Sequence, residues 1–211
     1  MASAPPRPQI PRIADLPLVV ETQRLVLRPL ELGDADALFP YASDPELSKM
    51  LSWDPHTDRG DTVAFVERMQ AGLADGTNIA WAIVFEGAPV GVISIDGIRW
   101  QFRAWRQDKA EVGYWLGRPY WGRGLMSEAA MAALRFAFEM LGLHKVTIGC
   151  VEGNDASRAI IEKLGFRFLA TFQDDFYRFG RWWDHRRYEL TASEWGDSTR
   201  TLRFNRPRPP A

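Results

Sequence analysis

One segment restricts the possible folds more than any other. It is a strand pattern that leads through a glycine turn into a helix and then into a second strand. Residues 109–116 (KAEVGYWL) have the composition of a strand, and a Gly-Arg-Gly turn follows at residues 122–124. Apolar residues then recur at helical spacing as far as Leu141, Gly142 provides a helix stop, and residues 144–151 again predict a strand. This order predicts two parallel strands joined by a right-handed crossover.

The other segments predict a single domain of the α+β class. Further strands are predicted at residues 18–30, 78–85, 90–98, 167–177 and 182–191, helices at residues 34–43, 61–74 and 154–164, and a loop at residues 100–107. A mostly antiparallel twisted sheet with one parallel pair, and with helices on both faces, would bury the apolar sides of all these elements. The domain is expected to span residues 18–195, between a flexible arm at residues 1–17 and a disordered basic tail at residues 196–211.

The composition excludes several classes of function. The 26 Lys and Arg residues balance 27 Asp and Glu residues, so the overall charge does not favour nucleic acid. Cys150 is the only cysteine, and His56, His144 and His185 lack ligand spacing, so we expect no disulfide and no metal. No apolar run has the length of a membrane span, and the first residues lack the apolar core of a signal peptide. A soluble cytoplasmic protein is expected.

The glycine turn at residues 122–124 is a candidate anion site. Paired glycines let main-chain amides point at one position, and the helix that follows adds its first-turn amides and the positive end of its dipole. The sequence lacks the Gly-Lys-Ser/Thr ending of a nucleotide-triphosphate loop and the third glycine of a dinucleotide fingerprint. A phosphate site without triphosphate chemistry remains, and a plain helix-start turn without a ligand is the alternative.

Three segments taken together resemble the GCN5-related N-acetyltransferase (GNAT) superfamily. They are EVGYWLGRPYWGRGLMSEA from Glu111, NDASRAIIEKLGF from Asn154 and FGRWWDHRRYELTASEW from Phe179. The order of the predicted elements agrees, and the resemblance is narrowest to the RimJ/RimL-like branch of ribosomal-protein N-terminal acetyltransferases. It implies a single GNAT fold in which the parallel strand pair splays apart. It also implies acetyl-CoA as the co-substrate and an amine as the acceptor.

The resemblance implies that the glycine turn holds the pyrophosphate of coenzyme A. The expected cradle consists of the main-chain amides of Gly122, Arg123, Gly124, Leu125 and Met126. The Arg123 side chain can add charge. Trp121 stands where the family usually has Gln or Arg, and Met126 stands at a usually small position, where it would narrow the approach to the amides.

The resemblance also assigns residues to the acetyl group and the leaving sulfur. Trp115 and Leu116 lie on the splayed strand, and their N–H groups are expected to bond the pantetheine arm and polarise the thioester carbonyl. Asn154 and Ser157 lie beside the sulfur, where many relatives carry a tyrosine at the position of Ile161. Ser157 is the expected proton donor in its place, and a water molecule is the competing donor. Core packing of Trp115 and helix capping by Asn154 are the structural alternatives.

The expected reaction is direct attack of a neutral primary amine on the thioester carbon, which requires a base. Glu111, at the start of the strand that reaches the active centre, is the first candidate, and Asp96 on the preceding strand is the second. A solvated or ion-paired role is the alternative for Glu111. Acetylation of Cys150 is a competing route, although a lone cysteine in an apolar strand usually serves packing.

The acceptor is less well defined than the donor. The early helices, the loop at residues 53–56 and the loop at residues 100–106 are expected to form its pocket, and a protein N-terminus or a small-molecule amine would fit. A non-catalytic acyl-CoA sensor is the competing function. A contact of the basic residues 200–208 with ribosome or RNA is a further hypothesis, although no nucleic acid is required. Exposed edges of the final hairpin would permit a monomer or a homodimer.

Overall fold

An eight-stranded mixed sheet forms the centre of the protein in the computed structural model, which describes residues 10–201 and the side chains of residues 10–196. The strands are β1 (Val20–Glu21), β2 (Leu25–Pro29), β3 (Ile79–Phe85), β4 (Ala88–Phe102), β5 (Trp105–Leu116), β6 (Lys145–Val151), β7 (Arg167–Arg178) and β8 (Arg181–Thr191). Their order is β1-β2-β3-β4-β5-β6-β8-β7. Only β5 and β6 pair in parallel, which confirms the predicted α+β fold with one parallel pair.

Helices cover both faces of this sheet, as predicted. They are α1 (Ala35–Ala42), α2 (Pro45–Ser48), α3 (Arg59–Ala74), α4 (Leu125–Arg135), α5 (Asp155–Lys163) and α6 (Ala192–Thr201), and α4 continues as a π-helical turn at Phe136–Met140. Strand β3 shows the two layers directly. Trp81 packs with α4 residues such as Leu134, whereas Ala82 packs with Leu38 of α1 and Val66 of α3. Alternate residues of one strand therefore enter two separate cores.

The parallel pair separates after a short contact. Only Lys109, Ala110 and Glu111 of β5 pair with β6, at residues 145–147. Beyond that point β5 keeps its antiparallel partner β4, and β6 keeps β8. A wedge therefore opens between residues 112–116 and residues 148–151. The splayed pair expected from the resemblance is confirmed.

Two predicted elements differ from the observed ones. The single strand predicted at residues 18–30 is a small hairpin, because Thr22 N donates to Leu25 O and turns the chain between β1 and β2. The predicted loop at residues 100–107 is the end of a long hairpin in which Phe102 pairs with Trp105. Its aromatic residues favour strands, and Arg103 adopts a positive φ of 53° at the two-residue turn.

The ends of the domain also differ from the prediction. Residues 13–15 form a 3-10 turn and Ile13 is buried in the main core, so part of the expected arm packs against the domain. Helix α6 runs to Thr201, past the predicted start of the tail at residue 196. Thr191 and Glu194 stabilise the start of this helix, because each side chain accepts the other's main-chain N–H in a capping box. The rest of the two predicted termini, residues 1–9 and 202–211, lies outside the described residues.

None of the helices within residues 10–201 combines the length and the apolar character needed to cross a membrane.

A substitution at Gly91 tests how closely β4 and β5 approach each other at the open end of the wedge. A Cβ atom at this position would lie 2.5 Å from the Trp115 carbonyl oxygen and 2.9 Å from Leu116 Cα. We expect Gly91→Ala to lower the free energy of unfolding by about 1–3 kcal/mol, measured by urea titration, because main-chain atoms of β5 must move. Gly33→Ala is the control, since its Cβ would meet no atom within 4 Å. Equal effects of the two variants would contradict this account.

Candidate functional site

The glycine turn has the backbone that the sequence predicts. Gly122 and Gly124 adopt φ values of 70° and 74°, which L-residues with side chains rarely adopt. Gly124 is the N-cap residue of α4, and among the described residues no side chain caps this helix start. The first-turn amides of α4 are therefore available to an anion.

Met126 does not obstruct these amides. Its side chain and that of Leu125 are buried in the core between α4 and the sheet. The sequence-based concern that Met126 narrows the approach is wrong for this reason. Residues 122–124 are exposed whereas Leu125 and Met126 are buried, so the exposed part of the expected cradle is the glycine turn itself.

Charge and aromatic rings surround the turn. The Arg123 guanidinium lies 4.6 Å from the centroid of the Phe85 ring and 5.9 Å from that of Tyr120. Trp121 is half-exposed, and its Nε1 donates to the Leu116 carbonyl oxygen at 2.6 Å. Trp121 thus ties the turn to the last residue of β5.

Arg24 is a further residue at this turn, which the sequence analysis missed. Its Nη1 donates to Arg123 O at 2.9 Å and its Nε donates to Glu128 Oε2 at 2.7 Å. Thr22 Oγ1 donates to Glu128 Oε1 at 2.7 Å. Burial opposes ionisation of Glu128, yet the hydrogen bonds from Thr22 and Arg24 prevail and lower its pKa. No local pattern links the β1–β2 turn to residues a hundred positions later.

The wedge exposes one set of main-chain groups of β5. Gly117 N donates to Val90 O, and Trp121 Nε1 reaches Leu116 O from the other side. Successive residues of a strand direct their N–H and C=O groups to opposite edges. The main-chain groups of Trp115 therefore point toward β4, whereas those of Tyr114 and Leu116 point toward the wedge. The Trp115 side chain is buried against Trp53 on the opposite face, at 5.9 Å between ring centroids. Of the two predicted N–H groups, that of Leu116 therefore faces the gap.

The start of α5 borders the wedge from the other side. Asn154 Oδ1 accepts the N–H of Ser157 at 3.1 Å, which confirms the predicted N-cap. The Ser157 hydroxyl lies 3.0 Å from the Tyr114 hydroxyl of β5. Ile161 is fully buried one turn further along. Burial raises the pKa of Tyr114 to about 12, although its hydrogen bond with Ser157 acts in the opposite direction.

Two carboxylates lie opposite each other on β4 and β5, next to the wedge. Asp96 and Glu111 are cross-strand partners. Arg187 Nη1 donates to Glu111 Oε1 at 2.8 Å. Burial raises the pKa of Asp96; a hydrogen bond from Ser94 opposes this shift and the nearby charge of Glu111 adds to it. The structure thus brings together both residues that the sequence offered as a base.

A cleft of about 480 Å³ lies between the α2 end and the β7–β8 hairpin. It is lined by Lys49, Met50, Glu152, Gly153, Arg181, Trp182, Trp183 and Asp184. Neither of the two predicted acceptor loops, residues 53–56 and residues 100–106, contributes to this lining, and Trp105 is largely exposed at the tip of the β4–β5 hairpin. The sequence did not predict that the hairpin at residues 181–184 forms a wall of this cleft.

Arg178, at the end of β7, holds the loop that carries Trp53. Its Nη1 donates to Ser48 O at 2.7 Å and also to Leu51 O, and its Nη2 donates to Trp53 O at 2.9 Å and to Asp54 Oδ1 at 2.8 Å. One guanidinium thus joins the final hairpin to residues 48–54. These residues connect α2 to the loop against Trp115.

The cysteine is buried, and two of the histidines lie beside polar side chains of neighbouring segments. Cys150 is buried on β6, and burial raises the pKa of its thiol. His56 Nδ1 lies 2.8 Å from Thr62 Oγ1, and His185 Nδ1 lies 3.2 Å from Asp175 Oδ2. Within residues 10–201 no three His, Cys, Asp or Glu side chains cluster as metal ligands would.

Comparison with known proteins finds the same architecture. A family model described as an acetyltransferase (GNAT) domain matches residues 24–167. YdaF of Bacillus subtilis, named provisionally as a ribosomal N-acetyltransferase, is 29% identical over 177 residues, which are 82% of this chain and 94% of that protein. The [ribosomal protein uS5]-alanine N-acetyltransferase of Escherichia coli is 25% identical over 182 residues, 82% of this chain and 91% of the relative.

A solved structure agrees in fold. RimL, a ribosomal L7/L12 alpha-N-protein acetyltransferase in complex with coenzyme A, superposes with a TM-score of 0.75 at 22% identity, over 82% of this chain and 97% of RimL. The family model covers more than half of the sequence, and it includes the glycine turn, the wedge and the start of α5. The chain therefore belongs to the GNAT family of acetyltransferases.

Proposed function

We propose that this protein is an acetyl-CoA-dependent N-acetyltransferase that acetylates a primary amine by direct attack in a ternary complex. The observation that carries the proposal is the continuity between the glycine turn and the wedge. Residues 112–116 border the open wedge and lead directly into the turn at residues 122–124. A ligand with a phosphate at one end and an extended arm at the other would satisfy both sites.

The phosphate end of coenzyme A is assigned to the glycine turn. Its pyrophosphate would accept hydrogen bonds from the amides of residues 122–126, and Arg123 and Arg24 would offset its charge. Trp121 would flank the ligand and fix the position of Leu116. The coenzyme A complex of RimL, which has the same fold, supports this assignment.

The pantetheine arm is assigned to the wedge, where it would bond like an added strand to Tyr114 and Leu116. The Leu116 N–H would face the thioester carbonyl and stabilise the negative charge that develops on its oxygen. Asn154 would hold the turn beside the sulfur, and Ser157 would donate a hydrogen bond to the leaving thiolate, with a water molecule as the competing hydrogen-bond donor. Trp115 supports the strand from the opposite face.

We assign the removal of the amine proton to the carboxylate pair of Asp96 and Glu111. A raised pKa makes Asp96 the stronger base at neutral pH, whereas Arg187 already occupies one oxygen of Glu111. We therefore place Asp96 first and Glu111 second, the reverse of the order expected from the sequence. The buried thiol of Cys150, with its raised pKa, offers no support for an acetyl-cysteine route.

The cleft beside the β7–β8 hairpin is assigned to the acceptor. It contains both charge signs and two tryptophans, which suits a peptide N-terminus or a small amine with polar groups. The names of YdaF and of the E. coli relative support a ribosomal-protein N-terminus. The proposal includes a cytoplasmic location. The exposed edge strand β7 would permit a homodimer as well as a monomer.

A screen of amines tests the function as a whole. Purified protein, acetyl-CoA and a panel of N-terminal peptides, polyamines, amino acids and aminoglycosides are combined, and thiol release and the acetylated product are measured. We expect release that depends on both substrates for at least one class. Binding of acetyl-CoA without release in the presence of any amine would favour the non-catalytic sensor.

The pH profile of kcat/KM separates the two carboxylates. If Asp96 is the base, kcat/KM falls as the pH decreases through its raised pKa. We expect Asp96→Asn to lower kcat/KM about a hundredfold and to remove this acidic limb. We expect Glu111→Gln to keep the limb but move it to lower pH, because a negative neighbour that raises the pKa of Asp96 is lost. The opposite pair of results would make Glu111 the base.

Arg178→Lys tests the assignment of the acceptor side. A lysine cannot reproduce the forked contacts to Ser48, Trp53 and Asp54, so the loop loses its anchor. We expect the KM for the acceptor to rise about tenfold, while the KM for acetyl-CoA stays within about twofold. Arg167→Lys, at the other end of β7, is the matched control and should change neither. A rise in the acetyl-CoA KM alone would contradict the assignment.

A further inference from the structure

Tyr114 crosses from the splayed strand to the start of α5. It lies three residues beyond Glu111, the last residue of β5 that pairs with β6. Its hydroxyl lies 3.0 Å from Ser157 Oγ, so the two hydroxyls bridge the wedge on the α4–α5 side of the sheet. The ring packs against the core that contains Ile161 and Cys150. The bridge therefore lies where the two strands have separated.

The Ser157 side of this bridge is fixed by the main chain. Asn154 caps the helix by accepting the Ser157 N–H, which sets the position of the Ser157 Cα. A serine hydroxyl has one hydrogen and can accept two hydrogen bonds. When Tyr114 donates to Ser157 Oγ, the single hydrogen of Ser157 is left for a third group. In that arrangement the Ser157 hydrogen points away from Tyr114.

We propose that Tyr114 is a positioning residue that donates to Ser157 Oγ and so directs the Ser157 hydroxyl hydrogen at the leaving sulfur of coenzyme A. The inference rests on the proposed function, because it requires the sulfur to lie beside the α5 start. It goes beyond that function by assigning a role to a residue of β5. In the resemblance the corresponding phenol belongs to α5, at the position of Ile161. Here Ile161 is buried and the phenol comes from the neighbouring strand.

The pair stabilises the thiolate by hydrogen bonding and does not protonate it. The pKa of Tyr114 is about 12. An ordinary thiol has a pKa of about 8.5, so a full transfer from the phenol to the thiolate would be unfavourable. In the balanced reaction the amine lone pair forms the C–N bond, and the C–S bond breaks with its electron pair on sulfur. The carboxylate pair takes the amine proton, and solvent returns a proton to the thiolate.

Tyr114→Phe tests this role because it removes only the hydroxyl. We expect kcat to fall about tenfold, the factor that one hydrogen bond to a developing charge provides, with the KM for acetyl-CoA within about twofold. Ser157→Ala should lower kcat at least as much. In the Ser157→Ala background, Tyr114→Phe should have no further effect, since its only route to the sulfur is through Ser157. A role of Tyr114 that does not act through Ser157 would instead give additive losses.

Tyr188→Phe is the matched control. Tyr188 is a buried tyrosine whose hydroxyl also has a side-chain partner, Arg186, and burial raises its pKa as well. It lies on β8, which β6 separates from β5, so the loss of its hydroxyl should leave kcat unchanged. Thermal melts of all variants establish that they fold. If Tyr114→Phe does not fold, Ser157→Ala with an unchanged kcat still overturns the proposal.

The possible results distinguish a failure of the role of Tyr114 from a failure of the proposed function. Wild-type turnover with a kcat that is unaffected by Tyr114→Phe, or with additive losses in the double variant, overturns the role of Tyr114 and leaves the proposed function intact. No turnover of wild-type protein with any amine overturns the proposed function, and the role of Tyr114 with it.

Discussion

The separation of β5 from β6 is the constraint on which the candidate site depends. Three residues of each strand pair in parallel, and the next residues of β5 keep a partner strand on one edge only. Unpaired main-chain groups inside a domain are unfavourable unless another group satisfies them. Solvent or the proposed extended ligand would satisfy the main-chain groups that face the wedge. The glycine turn and the start of α5 stand at its borders because they directly follow β5 and β6 in the chain.

Two arginines connect segments of this site that are far apart in the sequence. Arg24 joins the β1–β2 turn to the glycine turn and to Glu128 on α4. Arg178 joins the final hairpin to the loop that leads to Trp53. Each guanidinium holds carbonyl and carboxylate oxygens of two segments, which its planar fork of donors allows. The proposed donor side and the proposed acceptor side thus each contain one arginine that binds several oxygen atoms.

The Tyr114–Ser157 pair places a phenol at the start of α5 although the α5 sequence itself provides none there. The helix position expected to hold a phenol carries Ile161, which contributes to the core. A phenol nevertheless reaches the same helix start from β5. Strand and helix lie side by side at the wedge, so either can deliver a hydroxyl there. A missing residue in a motif therefore does not by itself indicate a missing function.

Local pattern was sufficient for much of this protein. Glycine spacing, the helical period after Leu125 and the cap at Asn154 determined the turn, α4 and α5, because each depends on residues within one or two turns of chain. The order of elements determined the parallel crossover. The sequence did not reveal Arg24, Arg178, the cleft at residues 181–184 or the partner of Ser157, because these depend on contacts between residues far apart in the chain. Whether a side chain such as Met126 points into a core or toward a ligand was likewise decided only by the packing of helix on sheet.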